Sequence, residues 1–295
     1  VSRTAIWKAV GALRDLGLTV HAVRNRGYRL PQPCEPLDAA AIRGALGGSV
    51  RERVRRIDAV WSIPSTNAAL LERKGVSPGC CEVLLAEHQT AGRGRRGRGW
   101  LAPPGGALCL SIGWSFESLP RDLAALGLAV GVAARSALAE RARESIAIKW
   151  PNDLTVAGRK LAGTLVEMRA ESDGPAYVVV GIGVNLALDA SLSAQLEATG
   201  ARPTDLKAAG ADPAPRNAIA AELIEAIVSG LERFGREGLR PFIQAWRAAD
   251  ALCGREVSVL SGDSTTLARG VARGIDSSGA LLVETETGVG RFLSG

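Results

Sequence analysis

Apolar residues recur at helical spacing from Ser2 to Leu16, with Ile6, Val10 and Leu13 on one stripe and Ser2 placed to cap the first turn. Two short extended runs follow, Leu18 to Val23 and Tyr28 to Leu30, separated by a turn at Asn25 to Gly27. A helix followed by a basic hairpin is half of a winged helix-turn-helix, and Pro31 to Pro36 reads as a linker. Beyond it the pattern predicts a short helix over Leu37 to Leu46, a strand over Val54 to Ile63, and a helix over Ser65 to Arg73 capped by Ser65 or Thr66. Strands are predicted over Cys81 to His88 and Ala107 to Trp114. From Leu123 to Glu140 apolar positions run almost all round a helix, which implies burial. Ile146 to Trp150 reads as a short strand, Leu161 to Ala170 and Ala176 to Ile182 as a strand pair, and Ala218 to Phe234 and Leu239 to Asp250 as helices. Near Leu252 the pattern changes to short strands with turns at Ser261 to Asp263, Asp276 to Gly279 and Glu286 to Gly290. That pattern predicts a small β-barrel, too short for a large core of its own and therefore leaning on the central region. The expected division is 1–34, a partial winged helix-turn-helix; 35–250, the main domain; and 251–295, the small barrel.

Composition adds limits. A chain of 295 residues with 46% hydrophobic content can bury a large core, and 22% charged residues argue against global disorder. The net charge of +6 comes mostly from arginine, because the chain has only five lysines. Nucleotide phosphates, an acidic acceptor protein and DNA all suit that excess, and genomic base composition accounts for it equally well. The five cysteines, Cys34, Cys80, Cys81, Cys109 and Cys253, include no CxxC, which argues against a disulfide framework or a zinc site. With no signal-peptide pattern and no long uncharged apolar run, a cytoplasmic protein without a membrane partner is expected.

The densest chemistry lies in GRGRRGRGW, Gly92 to Trp100, with four glycines and four arginines in nine residues. Glycines let backbone N–H groups approach a ligand, and guanidinium groups suit a phosphate or acyl-phosphate. The segment is neither a P-loop nor a dinucleotide fingerprint. Its composition also fits a solvated basic loop or an RGG-like tail, but it follows an apolar strand. KWPNDL, Lys149 to Leu154, presents Asn152 and Asp153 after a strand, either as an ordinary turn or as polar groups for Mg²⁺ or an ammonium. RKLAGTLVE, Arg159 to Glu167, places Lys160 before an apolar strand containing Gly163, either at the surface or at a pocket rim. GIGVNL, Gly181 to Leu186, ends an apolar strand in Asn185, which satisfies a turn or reads a ligand edge. Trp100 is a core aromatic or a platform for a purine. His21 and His88 lack partners at metal spacing and read as structural or solvent-facing.

Together SIPSTNAALL (Ser62 to Leu71), EHQTAGRGRRGRGW (Glu87 to Trp100), KWPNDL, RKLAGTLVE and GIGVNL closely resemble the biotin–protein ligase family, in particular its bifunctional bacterial form that also represses the biotin operon. The resemblance covers nearly the whole chain. It implies an α+β fold: a class II synthetase-like mixed β-sheet with flanking helices, a partial N-terminal winged helix and a C-terminal Src-homology-3-like barrel, whose core RGIDSSGALLVE (Arg273 to Glu284) resembles. It implies formation of biotinyl-5′-adenylate from biotin and ATP with Mg²⁺, then transfer of biotin to a lysine of a biotin carboxyl carrier protein of a carboxylase.

By the same resemblance Ser65, Thr66, Asn67, Gln89, Gly92, Arg93, Lys160 and Gly163 would bind biotin. Arg93, Arg95, Arg96, Arg98, Trp100, Lys149, Asn152 and Asn185 would bind ATP or the adenylate. Arg95, Lys160 and Asp153 would act at the reacting centre, Asp153 meeting a metal only weakly through Mg-ATP or orienting the incoming lysine. VSRTAIWKAVGALRDLG and NRGYRLP match the family's recognition helix and wing, so Ser2, Arg3, Thr4, Lys8 and Arg26 are candidates for DNA. The chain opens at Val1 inside the family's turn, and the preceding helices are expected upstream; operator DNA is expected as a partner only when that domain is complete. At RFLSG it stops one strand short of the family's usual barrel. A homodimer is a further expectation of the resemblance. The competing readings are a lipoate–protein ligase on the same fold, a biotin-sensing regulator without ligase activity, and an arginine-rich nucleic-acid binder.

Overall fold

The computed structural model describes residues 2–15, 18, 20–30, 35–169, 175–211, 215–262 and 265–294. Most of the expected linker at Pro31 to Pro36, together with Leu16, Ala170 and Asp263 at the margins of expected elements, lies outside these residues. The first unit comprises helix α1 (Arg3–Asp15) and an antiparallel hairpin of β1 (His21–Val23) and β2 (Gly27–Arg29). Ser2 accepts a hydrogen bond from Ala5 N–H, as an N-cap does.

The main domain continues with α2 (Ala39–Ala45), α3 (Gly48–Arg53), β3 (Val54–Ile63), α4 (Thr66–Glu72), β4 (Cys81–Gln89), β5 (Ala107–Phe116), α5 (Leu126–Ala139), β6 (Ile146–Lys149), β7 (Asp153–Val156), β8 (Arg159–Arg169), β9 (Ala176–Asn185), α6 (Ala190–Ala198), α7 (Arg216–Glu237) and α8 (Ile243–Ala248). Seven strands form one mixed sheet in the order β3-β4-β5-β9-β8-β7-β6, with only β3 and β4 parallel. Asp38 caps α2 and Ser65 caps α4 through side-chain oxygens. Along the 22-residue α7, Leu223, Ile224, Ile227, Val228, Leu231 and Phe234 recur at helical spacing and are buried against α5 and β5. The helix expected over Leu239 to Asp250 begins as a 3₁₀ turn at Arg240–Phe242, where Pro241 removes a backbone donor, and becomes α-helical only at Ile243.

The last segment holds β10 (Glu256–Leu260), β11 (Thr266–Ile275), β12 (Leu281–Thr285) and β13 (Gly288–Phe292). They form an open antiparallel meander in the order β10-β11-β12-β13, and β10 does not pair with β13. This overturns the closed barrel expected from the sequence. The physical reason is where the apolar face goes: Val259, Ala272, Ile275, Leu281 and Val283 are buried in the same core as the main domain, so the sheet covers itself with its neighbour. Two joints hold it there. Trp150 Nε1 donates to Gly279 O at 3.2 Å, and Ile148 exchanges backbone hydrogen bonds with Ala249 O and Ala251 N.

Gly279 has φ +85°, and a Cβ there would lie 2.7 Å from Leu128 Cδ1 and 3.0 Å from Ala125 Cβ. Gly279→Ala is therefore expected to cost about 2 kcal/mol and lower the thermal midpoint by about 5 °C. Gly44→Ala, on an exposed helical position with nothing within 4 Å, should leave the midpoint level or slightly higher. Equal midpoints for the two variants in a melting series would show that the C-terminal sheet is not seated against α5.

Candidate active site

The two faces of the main sheet differ in character. Along β9, Val178, Val180, Ile182 and Val184 enter the main core. On the opposite face Tyr177 and Val179 pack with Leu70 of α4 and Leu84 of β4, and the row then continues as Gly181, Gly183 and Asn185. Register places Gly163 of β8 and Cys109 of β5 on either side of Gly183, and Leu165 and Ser111 on either side of Gly181. The sheet is bare there, and side chains from elsewhere lie on it. A Cβ at Gly181 would stand 2.3 Å from Asn67 Oδ1, one at Gly183 2.2 Å from Trp100 Cε2, and one at Gly163 3.2 Å from Lys160 Nζ. Burial pushes the Cys109 thiol on this floor up to about 12, so it stays neutral.

At one end of the bare stretch lies a neutral polar cluster. Gln89 Oε1 accepts from Thr66 N–H at 2.7 Å and lies 3.0 Å from Thr66 Oγ1, while Ser111 Oγ lies 2.7 Å from Thr66 Oγ1 and 2.6 Å from Asn67 Oδ1. Ser65, Thr66, Asn67 and Ser111 are all buried. Ser111 sits in the apolar run LCLSIGW and escaped sequence reasoning, although a lone hydroxyl on the glycine-bearing face of a central strand is a usable signal. Glu167, the last residue of RKLAGTLVE, was likewise not singled out. Its carboxylate lies 2.9 Å from Asn67 Nδ2 and 3.7 Å from Arg93 Nη1.

The arginine-rich segment is an ordered loop across this face. Gly94 N–H donates to Arg98 O at 2.7 Å and Trp100 N–H to Gly92 O at 2.9 Å. Gly92 has no room for a side chain, because a Cβ would lie 2.4 Å from Trp100 O. Arg96 and Gly97 are both left-handed, at φ 59° and 69°. That conformation is unfavourable for arginine, and the Arg96 guanidinium offsets it by donating to Leu260 O at 3.0 Å and Ser261 O at 3.2 Å on the C-terminal sheet. Arg96 is thus an anchor of the loop in this structure.

Arg95 differs. Burial lowers its pKa, Arg96 acts in the same direction, and Asp153 opposes them. Among the described residues it forms no ion pair, so it is a half-buried cation without an anion in direct contact. It lines a cavity of about 390 Å³ with Asn152, Thr164 and Glu167 on one side and Leu123, Leu128 and Gly279 on the other. Lys160 Nζ stands 2.7 Å from Asp153 Oδ1 and 5.6 Å from the centroid of the Trp100 ring. Asn152 donates to Thr164 O at 2.7 Å, and Asn185 donates to Thr204 O at 2.9 Å and Lys160 O at 3.3 Å, bracing the Lys160 backbone. Arg98 and Lys149 are exposed and, among the described residues, have no ion pair, though Lys149 is in register with Asp153. No group of three or more potential metal-ligating side chains occurs among the described residues.

Family models match the chain in three stretches: an HTH domain over residues 1–29, the biotin/lipoate A/B protein ligase family over 62–185, and the biotin protein ligase C-terminal domain over 252–295. A bifunctional ligase/repressor BirA from Escherichia coli is 39% identical over 291 residues, spanning 97% of this chain and 85% of that protein. The chain belongs to the biotin protein ligase family. A biotin–[acetyl-CoA-carboxylase] ligase from Mycobacterium tuberculosis is 35% identical over 84% of this chain and 90% of its own length. Among solved structures, the biotin protein ligase from Aquifex aeolicus in complex with biotin and ATP superimposes with a TM-score of 0.65 at 27% identity, covering 82% of this chain and 97% of that one. The family model over 62–185 spans the polar cluster, the arginine loop, Asp153, Lys160 and Asn185. No helix among the described residues is long and apolar enough to cross a membrane.

Gly183→Ala should drive the Trp100 ring off the sheet and release the loop that carries it. Trypsin is expected to cut at Arg93 to Arg98 at least several-fold faster than in the parent protein, with the thermal midpoint changed by only a few degrees. Cleavage at the parental rate would mean that Trp100 does not hold the loop.

Proposed function

We propose that this chain is an ATP-dependent biotin–protein ligase whose acceptor is the biotin carboxyl carrier of a carboxylase, of the acetyl-CoA carboxylase kind. The observation that carries the reading is a neutral polar cluster at Thr66 and Gln89 on the same bare sheet floor as the Lys160–Asp153 pair, with the unpaired Arg95 close enough to Asp153 to feel its charge. A neutral ring with N–H and C=O groups suits the first; a carboxylate becoming an acyl-phosphate suits the second.

In this reading Ser65, Thr66, Asn67 and Gln89, with the Gly92 backbone, form the ureido end of the biotin site, and Gly163 leaves room for the acyl chain beside Lys160. The biotin carboxylate oxygen attacks the α-phosphorus of ATP and pyrophosphate leaves. The acceptor lysine, as a free amine, then attacks the carbonyl carbon and AMP leaves. Negative charge gathers on the α-phosphate in both steps, and Arg95 and Lys160 are the cations that meet it. Arg93 closes over the linkage, Trp100 flanks the adenine, and Asn185, whose amide hydrogens are spent on backbone carbonyls, offers its carbonyl oxygen to the adenine edge. Asn152 holds the β8 backbone near the phosphates. Arg96 acts through the loop it anchors, and Arg98 and Lys149 contribute at the outer rim. Mg²⁺ would come with the nucleotide and offset phosphate charge, and Asp153, one of whose oxygens is paired with Lys160, would be the carboxylate that could meet it. Asp153 also suits capture of the incoming lysine.

Intact mass of an apo carrier domain incubated with this protein, biotin and Mg-ATP tests the reading. One biotinyl group is expected in the complete mixture and none without ATP; an unmodified carrier together with no binding of biotin would sink it. Arg95→Ala should slow adenylation at least about 100-fold while biotin affinity stays within a few-fold. Equal losses in both would remove Arg95 from the reacting centre.

A second reading, operator binding, is supported by the match to an HTH domain and by exposed Ser2, Arg3, Thr4 and Lys8 on the first turns of α1 with Arg26 in the hairpin. Binding to DNA upstream of its own biotin genes should exceed binding to random duplex and weaken steeply with salt. Equal affinity for both duplexes would leave the ligase alone.

A further inference from the structure

The polar cluster at the ureido end has a direction, and one residue sets it. Ser111 Oγ has two close oxygen neighbours, Asn67 Oδ1 at 2.6 Å and Thr66 Oγ1 at 2.7 Å, but only one proton. A carboxamide oxygen only accepts, so the Ser111 proton belongs to Asn67. Thr66 then directs its own hydroxyl proton to Ser111 Oγ or to Gln89 Oε1, 3.0 Å away. Either way that proton is used inside the protein, and Thr66 Oγ1 is left with lone pairs only.

The whole order depends on which way the Asn67 amide points. Asn67 is 4% exposed and lies over Gly181. Its nitrogen is turned to Glu167 Oε2 at 2.9 Å, with Leu165 O farther off at 3.4 Å. A carboxylate accepts and never donates, so it forces the nitrogen toward itself and the oxygen toward Ser111. The ion pair of Glu167 with Arg93, at 3.7 Å between partly exposed side chains, is too loose and solvated to be the main use of this carboxylate. The buried partner is Asn67.

We propose that Glu167 is a positioning residue that fixes the proton order of the Asn67–Ser111–Thr66 relay, so that Thr66 presents an acceptor and selects substrates offering a ring N–H. The proposal rests on the ligase reading, in which that N–H belongs to the ureido ring. With Glu167 removed, only the longer contact to Leu165 O at 3.4 Å holds the nitrogen, and the Asn67 amide can turn over and donate to Ser111. Ser111 then donates to Thr66 and takes one of its two lone pairs, so the acceptor that Thr66 offers a ligand is halved.

Calorimetric titrations of biotin and, separately, of ATP into the parent protein, Glu167→Ala and Glu167→Gln test this. Glu167→Ala is expected to weaken biotin binding roughly tenfold while the Kd for ATP stays within about twofold. Glu167→Gln, which can still offer Asn67 an acceptor oxygen, should recover most of the biotin affinity. Preference for biotin over an analogue methylated at its ureido nitrogens should shrink in Glu167→Ala and return in Glu167→Gln. Wild-type biotin affinity in Glu167→Ala, equal losses for biotin and ATP, or an unchanged preference over the methylated analogue would overturn the proposal. Failure of the parent protein itself to bind biotin would instead overturn the ligase reading.

Discussion

Gly163, Gly181 and Gly183 stand near one another in β8 and β9 and leave a stretch of sheet backbone without side chains. The amide of Asn67, the indole of Trp100 and the ammonium of Lys160 each occupy space that a methyl group at one of these positions would take. Close-packed interiors do not give way by the one or more ångströms that the overlaps at Gly181 and Gly183 would demand. The constraint therefore runs outward from the sheet. If the floor is raised, the polar cluster, the arginine loop and the lysine lose their seats, although they come from α4, β4, β5, β8 and a loop.

This floor was only partly legible in the sequence. GIGVN shows glycine at alternate positions of an apolar strand, and period-two geometry puts those glycines on one face with Asn185. What a single strand cannot reveal is its partner register, which brings Gly163 and Cys109 beside Gly183 and Ser111 beside Gly181. Ser111 and Glu167 were missed for that reason: each is ordinary in its own strand and acquires meaning only across the sheet. The individual strands and helices were legible in the apolar spacing, while their assembly into a mixed sheet with flanking helices was an expectation of the family resemblance. The barrel was misjudged because alternation specifies a half-buried sheet but not what covers it. Five apolar residues that would fill a barrel interior are equally satisfied by α5 and its neighbours.

Charge placement on the loop follows a division of labour that composition hides. Four arginines in nine residues look equivalent in the sequence. In the fold, Arg96 spends its donors on two carbonyls of the C-terminal sheet, Arg93 stands near Glu167, Arg98 faces solvent, and Arg95 alone is half-buried without an opposite charge in direct contact. Desolvating a cation without pairing it is costly. The cost is tolerated where an anion completes the site, and Arg95 is carried there on a loop whose backbone is already hydrogen-bonded. An equally basic but disordered loop would have to organise during the reaction, which forfeits much of the electrostatic advantage.

The C-terminal sheet follows from the same reasoning. A left-handed arginine followed by a left-handed glycine is an unfavourable turn, held here by two hydrogen bonds to β10 and the residue after it. The sheet is in turn held by Trp150, which directly precedes the Pro151–Asn152 turn that braces β8 through Thr164. Loop and reacting centre are thus referenced to one another through a module that carries none of the proposed catalytic groups. A closed barrel would bury its own apolar face and rest on the main domain only loosely. An open sheet must share a core with its neighbour, and a shared core allows Gly279 to sit against Leu128 and Ala125 while β10 holds Arg96. The open architecture is what gives the arginine loop a fixed point outside the domain it serves.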